Sequence, residues 1–281
     1  MIVAQIGLGR WGLLRSWAWH DVGATLVQAY DISPPPTTRL PPTCVLASSL
    51  KDAIRNADLV CISTPPGDVA EIAKLVDEDV LLVVEKPGAT TPKDAFKLLE
   101  RKNLVTGYAT IYDPCVATVA GEMSSLKKFR FTSARLHQSS LHRDITVIED
   151  LTIHDLVVCD KLGMFLDEYQ IELAGQLPHE AIVKIKSGEK TAFIQSCVKS
   201  PNRVRFLRFE SDSHVWDVNP DQFAICSDGR SVPPSQARPL FHECSLLLRR
   251  AKDPRVKTEG DHERAFRVWG AISRIRKEAG R

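Results

Sequence analysis

Residues 7–12 read Gly7-Leu8-Gly9-Arg10-Trp11-Gly12, a G-x-G-x-x-G pattern between the apolar run Ile2–Ile6 and a helix-like stretch that begins at Arg10. In such a loop the first glycine allows a tight turn, the second lets a pyrophosphate approach the backbone, and the third lets the helix pack closely on the strand. The helix N-terminus adds unpaired N–H groups and the positive end of the helix dipole. The stretch therefore predicts a dinucleotide site formed by Gly7, Gly9, Arg10, Trp11 and Gly12.

An acidic residue stands where such a site needs one. Asp31 follows a second apolar run at residues 24–30 and lies 19 residues beyond Gly12. A carboxylate about 20 residues after the glycine loop binds the ribose 2′-hydroxyl and repels a 2′-phosphate. The sequence therefore favours NAD as the cofactor, while NADP stays possible because Arg39 could reach the same place.

Apolar runs alternate with helix-like stretches through the rest of the first half. The later runs lie at residues 44–47, 58–63, 80–85 and 104–106. Strands that are apolar throughout and separated by helices belong to a parallel sheet that is covered on both faces. The pattern predicts an α/β fold whose N-terminal domain, residues 1–113, is a Rossmann-type, doubly wound parallel sheet that binds NAD(P).

The second half has short runs separated by turns. The predicted strands lie at residues 129–137, 168–174, 181–186, 192–198, 204–209, 214–218 and 223–226. The predicted helices lie at residues 114–127, 150–162, 236–252 and 259–279. Consecutive strands with short connections form an antiparallel meander. Residues 114–281 are therefore expected to form an α+β domain with a large, mainly antiparallel sheet.

The composition excludes several classes of protein. The 281 residues carry 37 Lys and Arg against 35 Asp and Glu, and a net charge of +2 gives no basic footprint for nucleic acid. No apolar run approaches the ~20 residues of a membrane-spanning helix, and the N-terminus lacks the basic segment of an export signal. Seven scattered cysteines without C-x-x-C spacing predict neither a disulfide framework nor a metal site. We expect a cytoplasmic protein.

Three further motifs give the chain a family resemblance. Ser63-Thr64-Pro65 and Glu85-Lys86-Pro87 each end an apolar run, and Asp150 and His154 form a D-x-x-x-H pattern. With the N-terminal glycine loop they resemble the Gfo/Idh/MocA oxidoreductases over almost the whole chain. The resemblance implies an NAD(P)-dependent dehydrogenase or reductase, which transfers a hydride between nicotinamide and a secondary alcohol or ketone of a sugar, cyclitol or similar polar metabolite. It also implies that Ser63, Thr64, Pro65, Glu85 and Lys86 contact the cofactor.

Lys86, His154 and Asp150 are the candidate catalytic residues. Lys86 follows a strand whose carboxyl end faces the ligand crevice of a doubly wound sheet, where an ammonium can stabilise alkoxide character. The imidazole of His154 can accept or return a hydroxyl proton near neutral pH. Asp150 lies four residues earlier on the same helix face and can orient that imidazole. Outside the family context, a surface pair of Lys86 with Glu85, a helix-terminal Asp150 and a packed His154 explain the same pattern.

Tyr112 and Arg143 are the expected substrate contacts. Val147-Ile148-Glu149 stands where family members commonly carry glycines, which leaves the substrate class open. Two alternatives remain: a non-catalytic NAD-binding regulator or sensor of the same fold, and a redox-neutral enzyme with tightly held NAD. The expected partners are a small polar substrate and a second copy of the chain bound through the C-terminal sheet, with no nucleic acid, membrane or metal.

Overall fold

The computed structural model describes residues 1–219, 224–227, 230–232 and 238–280 and contains alternating strands and helices. The strands in chain order are β1 (Ile2–Ile6), β2 (Leu26–Tyr30), β3 (Cys44–Leu46), β4 (Leu59–Ile62), β5 (Leu81–Glu85), β6 (Leu104–Gly107), β7 (Lys128–Gln138), β8 (Gln170–Ala174), β9 (Glu180–Ser187), β10 (Glu189–Cys197), β11 (Lys199–Glu210), β12 (Val215–Asn219), β13 (Ala224–Ser227) and β14 (Arg230–Val232). The α-helices are α1 (Arg10–Asp21), α2 (Leu50–Ile54), α3 (Val69–Ala73), α4 (Pro92–Leu98), α5 (Pro114–Met123), α6 (Ile153–Lys161), α7 (Pro239–Lys252) and α8 (His262–Glu278).

The chain divides into two units. The first comprises Met1–Ala109 and Arg238–Ala265, and the second comprises Thr110–Ala237 and Phe266–Arg281. The chain first passes from one unit to the other between Ala109 and Thr110, close to the domain boundary that the sequence predicted between residues 113 and 114. The return of residues 238–265 to the first unit was not predicted, because an amphipathic helix does not reveal which sheet its apolar face covers.

The first unit contains a six-stranded sheet. Its strand order is β3-β2-β1-β4-β5-β6, and every neighbouring pair is parallel. This order reverses direction at β1, which places a crevice beyond the carboxyl ends of β1 and β4, where ligands of such sheets bind. The predicted Rossmann-type sheet is confirmed.

Helices α1 and α7 contribute to one core of the first unit. Trp19 of α1 and Leu247 of α7 are fully buried there with Val3, Val27 and Leu59 of the central strands. A helix from the C-terminal part of the chain thus completes the packing of a sheet made from the N-terminal part.

The second unit contains an eight-stranded sheet with the order β14-β13-β12-β11-β7-β10-β9-β8. Its pairs are antiparallel except that β7 runs parallel to β10. The prediction of a large, mainly antiparallel sheet is confirmed. A simple meander is wrong for β7, because this strand lies between β10 and β11 instead of at an edge. Phe223, part of the predicted strand at residues 223–226, lies outside the described residues.

The two faces of this sheet differ in burial. On one face Phe131 and Phe209 are fully buried, and their ring centroids lie 5.0 Å apart. On the other face Phe193 and Phe206 are 42% and 37% exposed. One packed and one exposed face are typical of antiparallel sheets. Association of two copies through this sheet stays a prediction.

The helix predicted at residues 150–162 is divided. Ile148–Thr152 forms a π-helical turn, and α6 begins only at Ile153. The hydroxyl of Thr152 donates to the carbonyl of Val147 at 3.4 Å and contacts Ser196 Oγ of β10 at 3.0 Å. These side-chain bonds give the wide turn partners that a regular α-helix would not provide. Asp150 therefore lies in the π turn and not in the helix that carries His154.

Within the described residues, three predicted absences can be compared with the structure. No helix there is long and apolar enough to cross a membrane. Six cysteines are free thiols: Cys44, Cys61, Cys115, Cys159, Cys197 and Cys244. No group of three His, Cys, Asp or Glu side chains in those ranges could hold a metal ion.

Substitution of Gly260 tests the contact between the C-terminal segment of the first unit and β6, the edge strand of its sheet. The Gly260 carbonyl accepts the Thr106 N–H at 2.8 Å, and a Cβ built at Gly260 would lie 1.9 Å from the Thr106 carbonyl oxygen. Gly260→Ala should therefore lower the free energy of unfolding by about 3 kcal/mol, measured by urea titration. At Gly270 of α8 a Cβ meets nothing within 4 Å. Gly270→Ala should be neutral or stabilising by up to about 1 kcal/mol, and equal losses in the two variants would contradict this contact.

Candidate active site

The first and third glycines of the loop are tightly packed, whereas the second has free space beside it. Gly7 has a φ of 88°, and a Cβ there would lie 2.8 Å from the backbone carbon of Ser63. A Cβ at Gly12 would lie 1.9 Å from the Gly7 carbonyl oxygen. At Gly9, the N-cap of α1, a Cβ meets nothing within 4 Å. The fold therefore requires glycine at the first and third positions, whereas the second faces space that a ligand can fill.

Gln5 holds this loop against the end of β4. Its buried side-chain amide donates to the Gly7 carbonyl at 3.2 Å and to Ser63 Oγ at 3.0 Å. Its carbonyl oxygen accepts the indole N–H of Trp19 at 3.1 Å. The sequence-based predictions did not include Gln5, which is the one polar residue in an apolar strand.

Asp31 lies beside the glycine loop, as predicted. One carboxylate oxygen accepts the Leu8 N–H at 2.6 Å and the other accepts the Ser33 N–H at 2.7 Å. The carboxylate is thus held at the carboxyl end of β2, next to the loop. Among the other predicted cofactor contacts in the first unit, Ser63 and Thr64 are half-buried, and Arg10, Trp11 and Pro65 are exposed.

The carboxylate of Glu85 is bound inside the first unit. Glu85 ends β5, and its Oε1 accepts both the Arg15 Nε–H and the indole N–H of Trp11. Arg15 is fully buried and also donates from Nη2 to Glu243 of α7 at 2.5 Å. Glu85 and Trp11 are predicted from the sequence to contact the cofactor, whereas neither Arg15 nor Glu243 was predicted to be a site residue. We name Glu85, Arg15 and Glu243 the Arg15 cluster.

The space around the Arg15 cluster is tight. The second Glu243 oxygen accepts the Tyr108 N–H at 2.8 Å. A Cβ at Gly107 would lie 2.5 Å from Arg15 Nη2 and 3.2 Å from Glu85 Oε1. The cluster therefore requires Gly107, which ends β6, and uses the backbone N–H of Tyr108. One guanidinium thus joins the ends of two neighbouring strands to α1 and α7.

Two carboxylates share one buried cation in this cluster. Burial raises the pKa of Glu243 to about 7, although the positive charge of Arg15 opposes the shift. Burial alone would lower the pKa of Arg15, but the charges of Glu243 and Glu85 raise it well above its ordinary value. Arg15 therefore remains charged, and Glu243 is the member that takes up a proton near neutral pH.

Lys86 follows directly after the anchored Glu85. Its side chain is half-buried, and its peptide bond to Pro87 is cis. Gly88 has a φ of 76°, and a Cβ there would lie 3.0 Å from Val84 Cγ1. The turn that carries Lys86 is thus bounded by a fixed carboxylate on one side and a required glycine on the other.

In the second unit, His154 lies next to Thr110. Its Nδ1 is 3.2 Å from the Thr110 hydroxyl, so this contact helps to select the tautomer and orientation of the imidazole. Asp150 and His154 are both half-buried. Tyr112 is buried, at 8% exposure, in a 3₁₀ turn over Ala109–Tyr112. Thr110 was not among the residues predicted from the sequence.

Three buried carboxylates fix the segment that carries Asp150 and His154, and each is paired with an arginine. Glu149 accepts from Arg276 at 2.7 Å, and Asp155 accepts from Arg135 at 2.8 Å. Asp160 accepts from Arg267 at 2.5 Å. The carboxylate of Asp155 is fully buried in its ion pair with Arg135.

Arg143 is exposed and lines a cleft of the second unit with residues 139–146. The structure therefore brings the predicted residues together in two groups. The glycine loop, Asp31, Ser63 and the Glu85-Lys86 turn form one in the first unit, and Asp150 and His154 form the other in the second. That Lys86 and His154 face one cleft stays a prediction.

The raised pKa of Glu243 predicts a pH dependence of stability. Between pH 4.5, the ordinary pKa of this group, and about 7, the folded protein holds a proton that the unfolded chain has released. Stability should therefore fall as pH rises through this window, by at most about 1.4 kcal/mol per pH unit. Glu243→Gln cannot titrate, so the stability difference between wild type and this variant should shift by about 2 kcal/mol between pH 5 and pH 7.5.

Urea titrations at four pH values across this window measure that difference. The exposed Glu122 of α5 provides the matched control, because Glu122→Gln should leave the pH profile unchanged. A Glu243→Gln profile parallel to that of the wild type would contradict a protonated Glu243.

Comparisons with known proteins bear on the family and the fold of the chain. Residues 1–104 match the model of the Gfo/Idh/MocA oxidoreductase family, described as an NAD-binding Rossmann fold. A search of curated proteins finds no match.

Solved structures that resemble the chain include UDP-N-acetylglucosamine 3-dehydrogenase GnnA from Acidithiobacillus ferrooxidans, with 18% identity, a TM-score of 0.83, and coverage of 99% of this chain and 97% of that one. A myo-inositol dehydrogenase from Corynebacterium glutamicum has 14% identity, a TM-score of 0.72, and coverage of 100% and 97%. A dehydrogenase from Clostridium difficile has 14% identity, a TM-score of 0.75, and coverage of 99% and 99%. These likenesses show a shared fold. The resemblance inferred from the sequence is confirmed: residues 1–104 match the NAD-binding Rossmann domain of the Gfo/Idh/MocA oxidoreductase family.

Proposed function

We propose that this chain is an NAD-dependent dehydrogenase or reductase acting on a secondary alcohol or ketone of a sugar, cyclitol or similar polar metabolite. The observation that carries the proposal is the open space at Gly9, between two glycines that the fold itself requires. Packing of the protein explains the first and third glycines but not Gly9, which has free space beside it at the N-terminus of a twelve-residue helix.

The residues present fit a nicotinamide dinucleotide. The N–H groups at the start of α1 have no partners within the helix, and they can bind a pyrophosphate next to Gly9. Asp31 stands at the end of β2, where a carboxylate can accept hydrogen bonds from ribose hydroxyls. Its negative charge favours NAD over NADP. The bound cofactor supplies a hydride acceptor or donor, and the protein supplies orientation and charge.

His154 and Lys86 are the proposed catalytic residues. His154 accepts the hydroxyl proton of an alcohol during oxidation and returns it during reduction, and Thr110 holds its imidazole. Lys86 stabilises negative charge on the same substrate oxygen. Asp150, in the π turn before α6, orients the imidazole or binds a substrate hydroxyl. Arg143 and Tyr112 are proposed as substrate contacts.

The names of two similar structures support the substrate class. One is a 3-dehydrogenase of UDP-N-acetylglucosamine and the other a dehydrogenase of myo-inositol. Both names refer to polyhydroxylated rings that are oxidised at a ring carbon. We infer that this chain also accepts a polyhydroxylated ring.

Gly9→Val tests cofactor binding without disturbing the fold. Because a Cβ at Gly9 has nothing within 4 Å, the variant should fold normally. A branched side chain there would occupy the place of the pyrophosphate, and NADH affinity in a fluorescence titration should fall at least about tenfold. Gly121 also has open space around its Cβ, so Gly121→Val serves as the control with wild-type affinity. Unchanged NADH binding by Gly9→Val would contradict the proposed pyrophosphate site at Gly9.

His154→Ala and Lys86→Ala test the chemistry. Loss of one general acid or base costs ~10²–10⁴-fold in rate, so both variants should lose turnover on that scale. Their NADH affinity should stay within about twofold of wild type, because neither residue is assigned to the pyrophosphate site. The assay follows NADH formation with a panel of sugars and cyclitols.

The exposed residues His262 and Lys93 provide matched controls, since His262→Ala and Lys93→Ala should keep wild-type turnover. Wild-type turnover in the His154→Ala variant would contradict its role. NADH binding without turnover by the wild type on any substrate would favour the non-catalytic regulator.

A further inference from the structure

A cleft of about 640 Å³ in the second unit lies outside the cofactor site. It is lined by residues 139–146, Pro178 and His179, with Lys199 and Arg276 at its side. Clefts of about 300–1,000 Å³ are typical of small-molecule sites. Apart from Arg143, none of these residues has a role in the proposed reaction.

The charges that line this cleft are mainly positive. Arg143, Lys199 and Arg276 line it, with Asp144 as the only acidic residue among its lining side chains. Arg276 is held by the buried Glu149. Arg143 and Lys199 are exposed, and neither has an ion-pair partner within the described parts of the chain. Two cations without partners beside one pocket attract an anion.

His179 adds a polar atom that lacks a partner. Its Nδ1 is buried from solvent and has no hydrogen-bond partner in the described ranges. Buried side-chain polar atoms are normally hydrogen-bonded, and we infer that a ligand in the cleft completes the bonding of this one. This observation is independent of the two cations and concerns the same cleft.

We propose that this cleft binds the phosphate group of a phosphate monoester. A monoester carries a charge near −2 at neutral pH and has three acceptor oxygens, which match donors that come from several directions. Arg143 and Lys199 pair with the charge, and the hydroxyls of Ser139 and Ser140 supply further donors. A carboxylate has only two oxygens and is matched best by a single arginine fork.

The cleft is connected to the segment that carries Asp150. Thr146 lines the cleft, and its backbone N–H and its hydroxyl both donate to the Glu149 carboxylate, at 2.9 and 2.7 Å. Glu149 lies in the π turn directly before Asp150. A phosphate held against residues 139–146 therefore restricts the loop that leads into this turn.

The test uses the ¹⁵N-labelled full chain titrated with methyl phosphate at pH 7, followed by amide chemical shifts. The shifts should concentrate at residues 139–146 and at His179. Arg143→Gln and Lys199→Gln should each weaken methyl phosphate binding about tenfold, because each removes a charge-assisted hydrogen bond. Saturating NADH should not displace methyl phosphate, because the proposed pyrophosphate site of NADH is at Gly9 in the first unit.

Arg130→Gln and Lys184→Gln are the matched controls, because both side chains are more than half exposed and lie outside the cleft. These controls should bind methyl phosphate like the wild type. Equal weakening in all four variants would show unspecific attraction and overturn the site, as would shifts confined to the glycine loop or displacement by NADH. Acetate binding as tightly as methyl phosphate would overturn the phosphate class. Because the readout is binding, its failure leaves the proposed dehydrogenase function untouched.

Discussion

The buried guanidinium of Arg15 is the constraint on which the first unit depends. It has no exposed surface, and its contacts reach Glu85 at the end of β5 and Glu243 in α7. A charge this deeply buried is tolerated only with partners, and removing one partner of such a pair typically costs about 3–5 kcal/mol. The cluster therefore holds the turn of Lys86 and α7 in one arrangement. It also explains why β6 must end in Gly107, where any Cβ would meet the guanidinium.

Much of the first unit could be predicted because its signals are local. Apolar runs such as Leu81–Glu85 become buried parallel strands, and the glycine loop has the conformation that its spacing implies. Asp31 lies beside Leu8 because the strand before it ends at the same sheet edge as β1. Each of these features depends on neighbours within a few residues or on one strand pairing.

The features that could not be predicted depend on distant parts of the chain. Arg15 and Glu243 are 228 residues apart in sequence, and nothing near either residue shows that they meet. The pairing of β7 with β10 is likewise set by how the second sheet assembles, as is the ion pair between Asp155 and Arg135. Glu85 shows the consequence for function. Its motif predicts a cofactor contact, which stays a prediction, and its Oε1 accepts from Arg15 and Trp11, so we infer that Glu85 also positions the turn of Lys86.

A crystal structure of the wild-type protein grown with NAD tests this account most directly. The account predicts that the pyrophosphate lies against Gly9, that Glu85 keeps its bonds to Arg15 and Trp11, and that the Lys86 ammonium lies beside the nicotinamide ring. His154 should be within hydrogen-bonding reach of the same place. A structure in which the Glu85 carboxylate leaves Arg15 to contact the cofactor, or in which Lys86 points away from the nicotinamide, would contradict it.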